Sequence, residues 1–162
     1  RGEWTSRTDG TPWTPPDIDG YRYIKDSVTH HTANDSTFEI ASANGKRIVT
    51  TLAGGESTEL ITATGIGDHI DDRVPMVIAR RKTKETIFGW CIAIDSSPAH
   101  ITWLPVRDEK DRMVPSSVAV AAEVATLDEK RWELLVNPTG LSVSVTLPDD
   151  PRWRTDAICK IR

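Results

Sequence analysis

The chain has 162 residues, of which 38% are hydrophobic and 27% charged, and its formal net charge is −4. This composition excludes a wholly disordered chain and a protein that coats nucleic acid through a general positive charge. No run approaches the roughly 18 consecutive apolar residues of a membrane span, and no signal-peptide pattern opens the chain. We therefore expect a globular protein with neither a nucleic-acid nor a membrane partner.

The beginning of the chain is rich in loop-forming residues. It opens Arg-Gly-Glu-Trp without a Met, so we expect a processed product or a fragment of a longer protein. Gly, Pro, Asp and Thr crowd residues 1–20, and Pro15-Pro16 excludes a helix there. We predict a lead-in loop over 1–20 and a single domain over 21–162, since this length suits one hydrophobic core.

Short β-prone runs separated by turn residues fill the rest of the chain. Asn44-Gly45 is a strong hairpin signal, because both turn residues tolerate positive φ. The run 117–126 is Ala-rich and long enough for a helix, but its Val residues alternate, which favours a strand. The pattern predicts an antiparallel β-sandwich of about 8–10 strands with little or no helix. Besides the runs within 74–95, the predicted strands are 38–43, 46–52, 58–64, 100–105, 117–126, 131–136, 141–147 and 155–161.

Residues 74–95 form the most hydrophobic stretch of the chain. Two apolar runs flank a basic turn, so the stretch is predicted to be a hairpin; the cations of the basic turn are Arg80, Arg81, Lys82 and Lys84. Both faces of the second run, 87–94, are apolar, which predicts a central strand covered on both sides. Cys91 lies within this run and is expected to be a buried thiol, although one disulfide with Cys159 is also permitted.

Few residues suggest catalysis or metal binding. Tyr21, Tyr23, His30 and His31 could support proton transfer, but alternate tyrosines on a strand commonly fill a core face. Asp68 and His69 lie in an acidic, Gly-bounded segment that also has the composition of a solvated turn. We therefore predict no metal or other cofactor and no catalytic residue, and we retain these six side chains only as weak candidates.

Exposed tryptophans and cations offer a more promising route to function, through carbohydrate binding. A sugar ring can stack on an indole while Arg or Lys pairs with an acidic group of the sugar. We expect Trp90, Trp103 and Trp132 to be core residues and Trp4, Trp13 and Trp153 to be available to a ligand. The candidate carbohydrate-binding residues are Trp13, Arg80, Arg81, Lys82, Trp153 and Arg154. The basic turn could equally protect a sheet edge from aggregation.

Residues 51–95 resemble the C-terminal β-sandwich region of heparinase II/III-like polysaccharide lyases, including oligoalginate-lyase relatives. The similar features are Thr58-Glu59 in a strand, the Gly65–Gly67 turn, Pro75 to Arg81, and a return strand beginning Thr86-Ile87-Phe88. The resemblance implies an α/α toroid upstream of the sandwich and cleavage of uronic-acid glycans by β-elimination. Together with the preceding residues 21–52, whose extended strand and Asn-Gly hairpin are compatible with the same region, it covers about half of the chain. It includes no catalytic motif, so no catalytic residue is carried over.

These observations lead to a ranked set of functional hypotheses. The first is a non-catalytic accessory domain of a secreted or periplasmic polysaccharide lyase, with an anionic polysaccharide and the upstream toroid as partners. The second is a free-standing carbohydrate-binding module that uses Trp4, Trp13 or Trp153. The third is a structural or adhesion β-sandwich without a ligand. An upstream helical region in the same reading frame would favour the first hypothesis over the second.

Overall fold

A computed structural model describes residues 2–7, 9–146, 153–155 and 159–161 of the chain, with backbone positions alone for 153–155 and 159–160. The fold is all-β, its strands pair antiparallel, and the described residues contain no α-helix, which confirms the predicted fold class. The predicted number of about 8–10 strands is too low, because the described residues form fifteen, several of them only two or three residues long. The chain divides into two compact units, Arg1–Lys82 with Trp90–Pro98, and Thr83–Gly89 with Ala99–Arg162. A compact unit is not by itself an independently folding domain, so the single domain over 21–162 stays a prediction.

The first unit contains two four-stranded sheets. One sheet has the order β1-β4-β5-β8 and the other the order β2-β3-β6-β7. Their strands are β1 (Gly2–Ser6), β2 (Thr11–Pro12), β3 (Lys25–Thr32), β4 (Ser36–Ser42), β5 (Arg47–Leu52), β6 (Thr58–Ile66), β7 (Arg73–Arg80) and β8 (Trp90–Ile94). Phe38, Leu60 and Ile61 are among the side chains buried in this unit. Trp4 joins the sheets, because its Nε1 donates to the carbonyl of Ala63 at 3.1 Å.

The second unit contains a four-stranded sheet of order β15-β12-β11-β9 and a three-stranded sheet of order β10-β13-β14. The strands are β9 (Ala99–Leu104), β10 (Val106–Asp108), β11 (Val120–Thr126), β12 (Arg131–Val136), β13 (Val143–Val145), β14 (Trp153–Thr155) and β15 (Cys159–Ile161). A core of buried apolar side chains includes Leu104, Leu135 and Val145 from both sheets. The strand rather than helix prediction for 117–126 is therefore confirmed over the span of β11.

Local sequence signals place the β4–β5 hairpin correctly. Gly45 adopts a φ of 79°, a region that L side chains rarely occupy. The backbone N–H of Ser42 donates to the carbonyl of Lys46 at 2.9 Å and closes the turn. The observed strands begin and end within two residues of the predicted 38–43 and 46–52. A turn whose residues tolerate positive φ fixes its own register, which is why this prediction needed no tertiary information.

The prediction of a lead-in loop over 1–20 is wrong at the level of secondary structure. Strand β1 pairs with β4, from Gly2 opposite Ser42 to Ser6 opposite Glu39. Strand β2 is only Thr11–Pro12 and pairs with β3. These segments have weak intrinsic β signals, and they become strands because an existing sheet edge offers backbone partners. Arg7, Asp9 and Gly10 and the pair Pro15-Pro16 lie outside strands, as predicted.

The segment 74–95 is not a hairpin. Strand β7 pairs with β6, from Arg80 opposite Glu59 to Arg73 opposite Ile66. Strand β8 pairs with β5 in the other sheet, so residues 81–89 connect two sheets rather than two paired neighbours. The predicted return strand at Thr86 also differs, because β8 begins at Trp90. Hydrophobicity identified both strands, whereas their partners lie elsewhere in the sequence.

The prediction that 87–94 is covered on both faces is also wrong. Strand β8 is an edge strand, and its residues alternate between exposed and half-buried. Trp90, Ile92 and Ile94 are 42%, 66% and 58% exposed. Burial of an apolar side chain is favourable, but the sequence does not guarantee that a covering layer exists.

In the described residues, no helix is long and apolar enough to cross a membrane.

Candidate functional site

Arg80 lies at the end of β7 between a carboxylate and an aromatic ring. Its Nε and Nη2 bond Oε2 of Glu59 at 3.1 and 2.9 Å. The two residues are direct cross-strand partners, so the β6–β7 register brings them together. On the other side, the guanidinium carbon of Arg80 lies 5.5 Å from the centre of the Trp13 ring, which is a cation–π distance. Arg80 therefore links β6 and β7 to a segment that is distant in sequence.

Trp13 is held in place by its backbone and by a second aromatic ring. The backbone N–H of Trp13 donates to the backbone carbonyl of Ser27 at 2.9 Å, and the Ser27 hydroxyl donates back to the Trp13 backbone carbonyl at 2.7 Å. The Tyr21 ring lies 6.2 Å from the Trp13 ring at an interplanar angle of 54°, a common tilted arrangement. We define the Trp13 cluster as the side chains of Trp13, Tyr21, Arg80 and Glu59. Two reciprocal hydrogen bonds thus fix the backbone at Trp13, while the Tyr21 ring and the Arg80 guanidinium lie beside its indole.

A cavity adjoins the Trp13 cluster at Tyr21. Its volume is about 270 Å³, a little below the lower end of the range for small-molecule sites, and Tyr21 belongs to both features. The lining comprises Asp19, Gly20, Tyr21, Tyr23, Ile24, Gly65, Ile66, Met76 and Ile78. Apolar groups form its floor on β6 and β7, whereas Asp19 and the tyrosines are its polar groups. A cavity of this size suits one sugar ring or a comparable small group.

Tyr21 and Tyr23 reach this cavity from a short 3-10 helix, Tyr21–Tyr23, and not from the strand that their alternation suggested. Gly20 adopts a φ of 95°, and consecutive turn bonds follow from Tyr21 N–H to Ile18 and from Ile24 N–H to Tyr21. The glycine permits the reversal that starts the helical turn. Both tyrosines consequently line the same cavity. The sequence had suggested instead that they fill a core face of a strand.

The charge of Arg80 is compensated inside the Trp13 cluster. Its hydrogen bond to Glu59 lowers the pKa of that carboxyl from its ordinary value of 4.5, against an opposing effect of partial burial. Electrostatic interactions with Arg80 and His31 and a hydrogen bond from the Thr29 hydroxyl, 3.4 Å from Oε1, lower this pKa further. Glu59 is therefore ionised at neutral pH. The cluster offers hydrogen-bond donors and acceptors beside an aromatic ring and has little net charge.

The lowered pKa of Glu59 gives a testable titration. Because the folded-state pKa lies below the unfolded value, the stabilisation is present above pH 4.5 and is lost as pH falls through the lowered value. In an NMR titration of the Glu59 side-chain carboxyl, we expect a midpoint below 4.5 for the parent chain and a rise toward 4.5 in Arg80→Met. Lys82→Met is the control and should leave the midpoint unchanged. An unaltered midpoint in Arg80→Met would contradict the assigned pairing.

The residues of the basic turn have different environments. Arg80 is partly exposed at 41%, whereas the Arg81 side chain is only 3% exposed. Arg81 Nε donates to the Thr58 hydroxyl at 2.7 Å, and Nη2 donates to the Ala53 carbonyl at 3.4 Å. Lys82 is exposed, as is Lys84. The prediction that all the cations of the basic turn lie at an exposed tip is therefore wrong for Arg81. Its side chain faces inward, where buried carbonyl and hydroxyl acceptors need a donor.

The tryptophans divide differently from the sequence-based expectation. Trp4, predicted to be available to a ligand, is occupied in the unit by its bond to Ala63 and by a ring contact with Phe38 at 6.4 Å. Trp90 and Trp132, predicted to be core residues, are 42% and 39% exposed. A polar, Pro-containing context was therefore misleading for Trp4, whereas the availability of Trp13 to a ligand stays a prediction. Burial depends on which layer covers a residue, and the neighbouring sequence does not specify this.

The weak catalytic candidates do not converge on one face of the sheet. His30 and His31 are consecutive in β3, so their side chains point to opposite faces. His31 lies opposite Glu59 and so shares the face of the Trp13 cluster, whereas His30 lies opposite Leu60. Tyr21 and Tyr23 line the cavity. The sheet therefore separates His30 from His31.

The other candidate site residues lie in the β6–β7 turn and in β14. Asp68 and His69 are exposed in the turn between β6 and β7, where the Asp72 N–H donates to the His69 carbonyl at 2.9 Å. Among the described residues, no group of three or more His, Cys, Asp and Glu side chains could hold a metal ion. Trp153 and Arg154 belong to β14, and their side chains lie outside the described part of the structure. Their role in carbohydrate binding stays a prediction.

Glu59 is the functional-site residue that sequence reasoning missed. Thr58-Glu59 was noticed only as part of a strand pattern. The usable signal was a carboxylate in a β-rich run paired with the arginine that ends the following run, since Glu59 and Arg80 are cross-strand neighbours. Pairing β6 with β7 around the Gly65–Gly67 turn would have revealed it.

The fold and the site together define an antiparallel, sandwich-like β-protein with a surface cluster of aromatic, arginine and carboxylate side chains. Comparison with known proteins finds no matching family model, no matching curated protein and no matching solved structure.

Proposed function

We propose that the chain is a non-catalytic, glycan-binding β-sandwich that serves as an accessory domain of a secreted or periplasmic polysaccharide lyase. The observation that supports binding is the indole of Trp13, flanked by Arg80 and Tyr21 beside a cavity. Tryptophan offers a flat apolar surface to a sugar ring, and the neighbouring polar groups can orient its hydroxyls. The lyase context derives from the resemblance of residues 51–95.

Arg80 can contact the ligand although Glu59 engages it. A guanidinium has five N–H donors, and the bonds to Glu59 use Nε and Nη2. Among the described residues, none accepts a hydrogen bond from Nη1 of Arg80 or pairs with it. The donors at Nη1 suit a uronate carboxylate or a sugar hydroxyl, whereas Glu59 holds the guanidinium in one orientation. Preorganisation of this kind reduces the entropy lost on binding.

The anionic character of the glycan is a separate part of the proposal. The charge compensation between Arg80 and Glu59 reduces the general attraction to polyanions, so selectivity for uronates depends on a directed contact with Arg80. Such a contact depends less on salt than attraction to an exposed basic patch would. A preference for oligouronates that persists at high salt is therefore expected.

Binding is tested by isothermal titration with oligosaccharides of alginate, hyaluronan, heparan sulfate and glucuronan, and with a neutral cello-oligosaccharide. We expect at least one oligouronate to bind, and Trp13→Ala to weaken this binding by about tenfold or more, equivalent to about 1.4 kcal/mol. The control is Trp132→Ala, which removes an indole that is 39% exposed in the second unit and should leave the affinity unchanged. Equal affinity in Trp13→Ala and the parent, or no binding of any oligosaccharide, would overturn the proposal.

The accessory role is tested by an ultraviolet assay for unsaturated uronate ends with the same glycans as polymers. The chain alone should release none, whereas a longer protein containing this chain and an upstream helical region should release them. Product from the chain alone would overturn the non-catalytic assignment and direct attention to Tyr21 and His31. Absence of product from the longer protein would remove the lyase context and leave the binding result unaffected.

A further inference from the structure

Strand β8 is an unprotected sheet edge. It pairs with β5 on one side, and no other strand of the described residues pairs with it. Native edge strands normally carry a charge, a proline or a bulge that discourages pairing with another chain. The five residues of β8, Trp-Cys-Ile-Ala-Ile, include none of these, and no charged residue occurs from Thr86 to Ile94. This edge is therefore open to an additional strand.

The backbone groups of β8 that point outward can be identified from its pairing with β5. The Asp95 N–H donates to the Arg47 carbonyl at 2.8 Å, so Asp95 and, by alternation, Ala93 and Cys91 direct their backbone groups toward β5. Trp90, Ile92 and Ile94 direct theirs away from β5. These are the same residues whose side chains are exposed. One strand edge thus presents outward N–H and C=O groups and an exposed apolar ridge together.

We propose that β8 is a homodimerisation edge, at which β8 of a second copy of this chain pairs antiparallel about a two-fold axis through Ile92. Ile92 is the middle of the three outward-facing residues, so this register places Ile92 opposite its own copy and Trp90 opposite Ile94. About six backbone hydrogen bonds form in this register, because each outward residue exchanges both of its groups with a partner. An isologous contact of this kind closes after two copies.

Charge and side-chain chemistry favour a second copy over an unrelated strand. The edge is uncharged, so two copies meet without repulsion, and the ridge of one copy continues that of the other on the same sheet face. The apolar surface at Trp90, Ile92 and Ile94 then becomes part of one continuous sheet face. This interface leaves the Trp13 cluster out of the pairing, so dimerisation and glycan binding are separable.

Sedimentation velocity from roughly 10 µM to 1 mM tests the association, because dimer formation is concentration-dependent. We expect the dimer fraction to rise across this range for the parent chain. Ile92→Lys should weaken association by about tenfold or more, since two lysines would meet at the axis. Ile70→Lys is the control, as Ile70 is 54% exposed outside the strands and should not alter association. Far-UV circular dichroism checks that both variants remain folded.

The register is tested by a short bis-maleimide crosslinker after Cys91→Ala and Cys159→Ala are introduced. In the proposed register two copies of Ile92→Cys lie about 5.5 Å apart between Cα atoms, whereas two copies of Ile94→Cys lie about 14 Å apart. We expect efficient crosslinking of the first variant and little of the second. A parent chain that stays monomeric, as it would if the edge receives a strand of another protein, overturns the proposal. Undiminished association of Ile92→Lys, or equal crosslinking of the two cysteine variants, also overturns it.

Discussion

Arg81→Ala is expected to lower the free energy of unfolding by about 2–4 kcal/mol. The Arg81 side chain is 3% exposed and donates to the Thr58 hydroxyl and the Ala53 carbonyl, both in buried residues. Its Nη1 also lies 3.6 Å from Oε2 of Glu56. Truncation leaves a void and removes the donor from buried acceptors, and each effect destabilises the folded state. Chemical denaturation followed by fluorescence and circular dichroism measures the change.

Two further variants separate the causes. Lys82→Ala removes the adjacent exposed cation and should change the free energy of unfolding by no more than about 0.5 kcal/mol. Arg81→Met restores most of the packing without the hydrogen bonds, so it should recover only part of the lost stability. A loss in Lys82→Ala equal to that in Arg81→Ala would contradict the inward role of Arg81. Simultaneous replacement of all cations of the basic turn would not distinguish a loss of stability from a loss of glycan binding, so the single variants are needed.

Ile61→Ala is expected to lower the free energy of unfolding by about 2–5 kcal/mol, the range for truncating a fully buried branched side chain. Ile61 is 0% exposed in β6, so its removal creates a cavity in a close-packed interior. Ile92→Ala makes the same chemical change at a residue that is 66% exposed, and should cost no more than about 0.5 kcal/mol in the monomer. Denaturation at low protein concentration measures both values.

The comparison of these two isoleucines distinguishes the observed arrangement from the sequence-based one. If residues 87–94 formed a central strand with two covered faces, Ile92→Ala would be as destabilising as Ile61→Ala. A similar loss in the two variants would therefore contradict the edge position of β8. A near-neutral Ile92→Ala, combined with weaker association at high concentration, would agree with both the fold and the proposed dimer edge.

Sequence reasoning succeeded where the determining interactions are local. The Asn44-Gly45 pair predicted the β4–β5 hairpin because the positive φ that the turn requires is met locally, by Gly45. The alternation of 117–126 identified the strand β11, since a strand repeats its side-chain direction every two residues. The all-β class followed from many such runs without helical periodicity. Trp13 was singled out from its local context, and the structure places its ring beside Arg80.

Tertiary structure decided the features that depend on pairing between distant segments. Trp13, Glu59 and Arg80 meet because β2 joins β3, β3 joins β6 and β6 joins β7, a set of choices that no local window contains. Glu59 consequently escaped notice, and Arg81 was assigned to the surface although its side chain is only 3% exposed. Adjacent residues in a strand face opposite sides, so one step along the chain separates a surface cation from an internal one.

The sequence by itself determined that this protein is built of antiparallel strands and where most of them lie. Only the tertiary structure decided that β7 and β8 belong to different sheets, that β8 is an exposed edge, and that an arginine–glutamate pair flanks Trp13. The physical reason is that backbone conformation responds to neighbouring residues. Burial and partner choice depend instead on the free energy of covering each surface, which the whole chain sets at once.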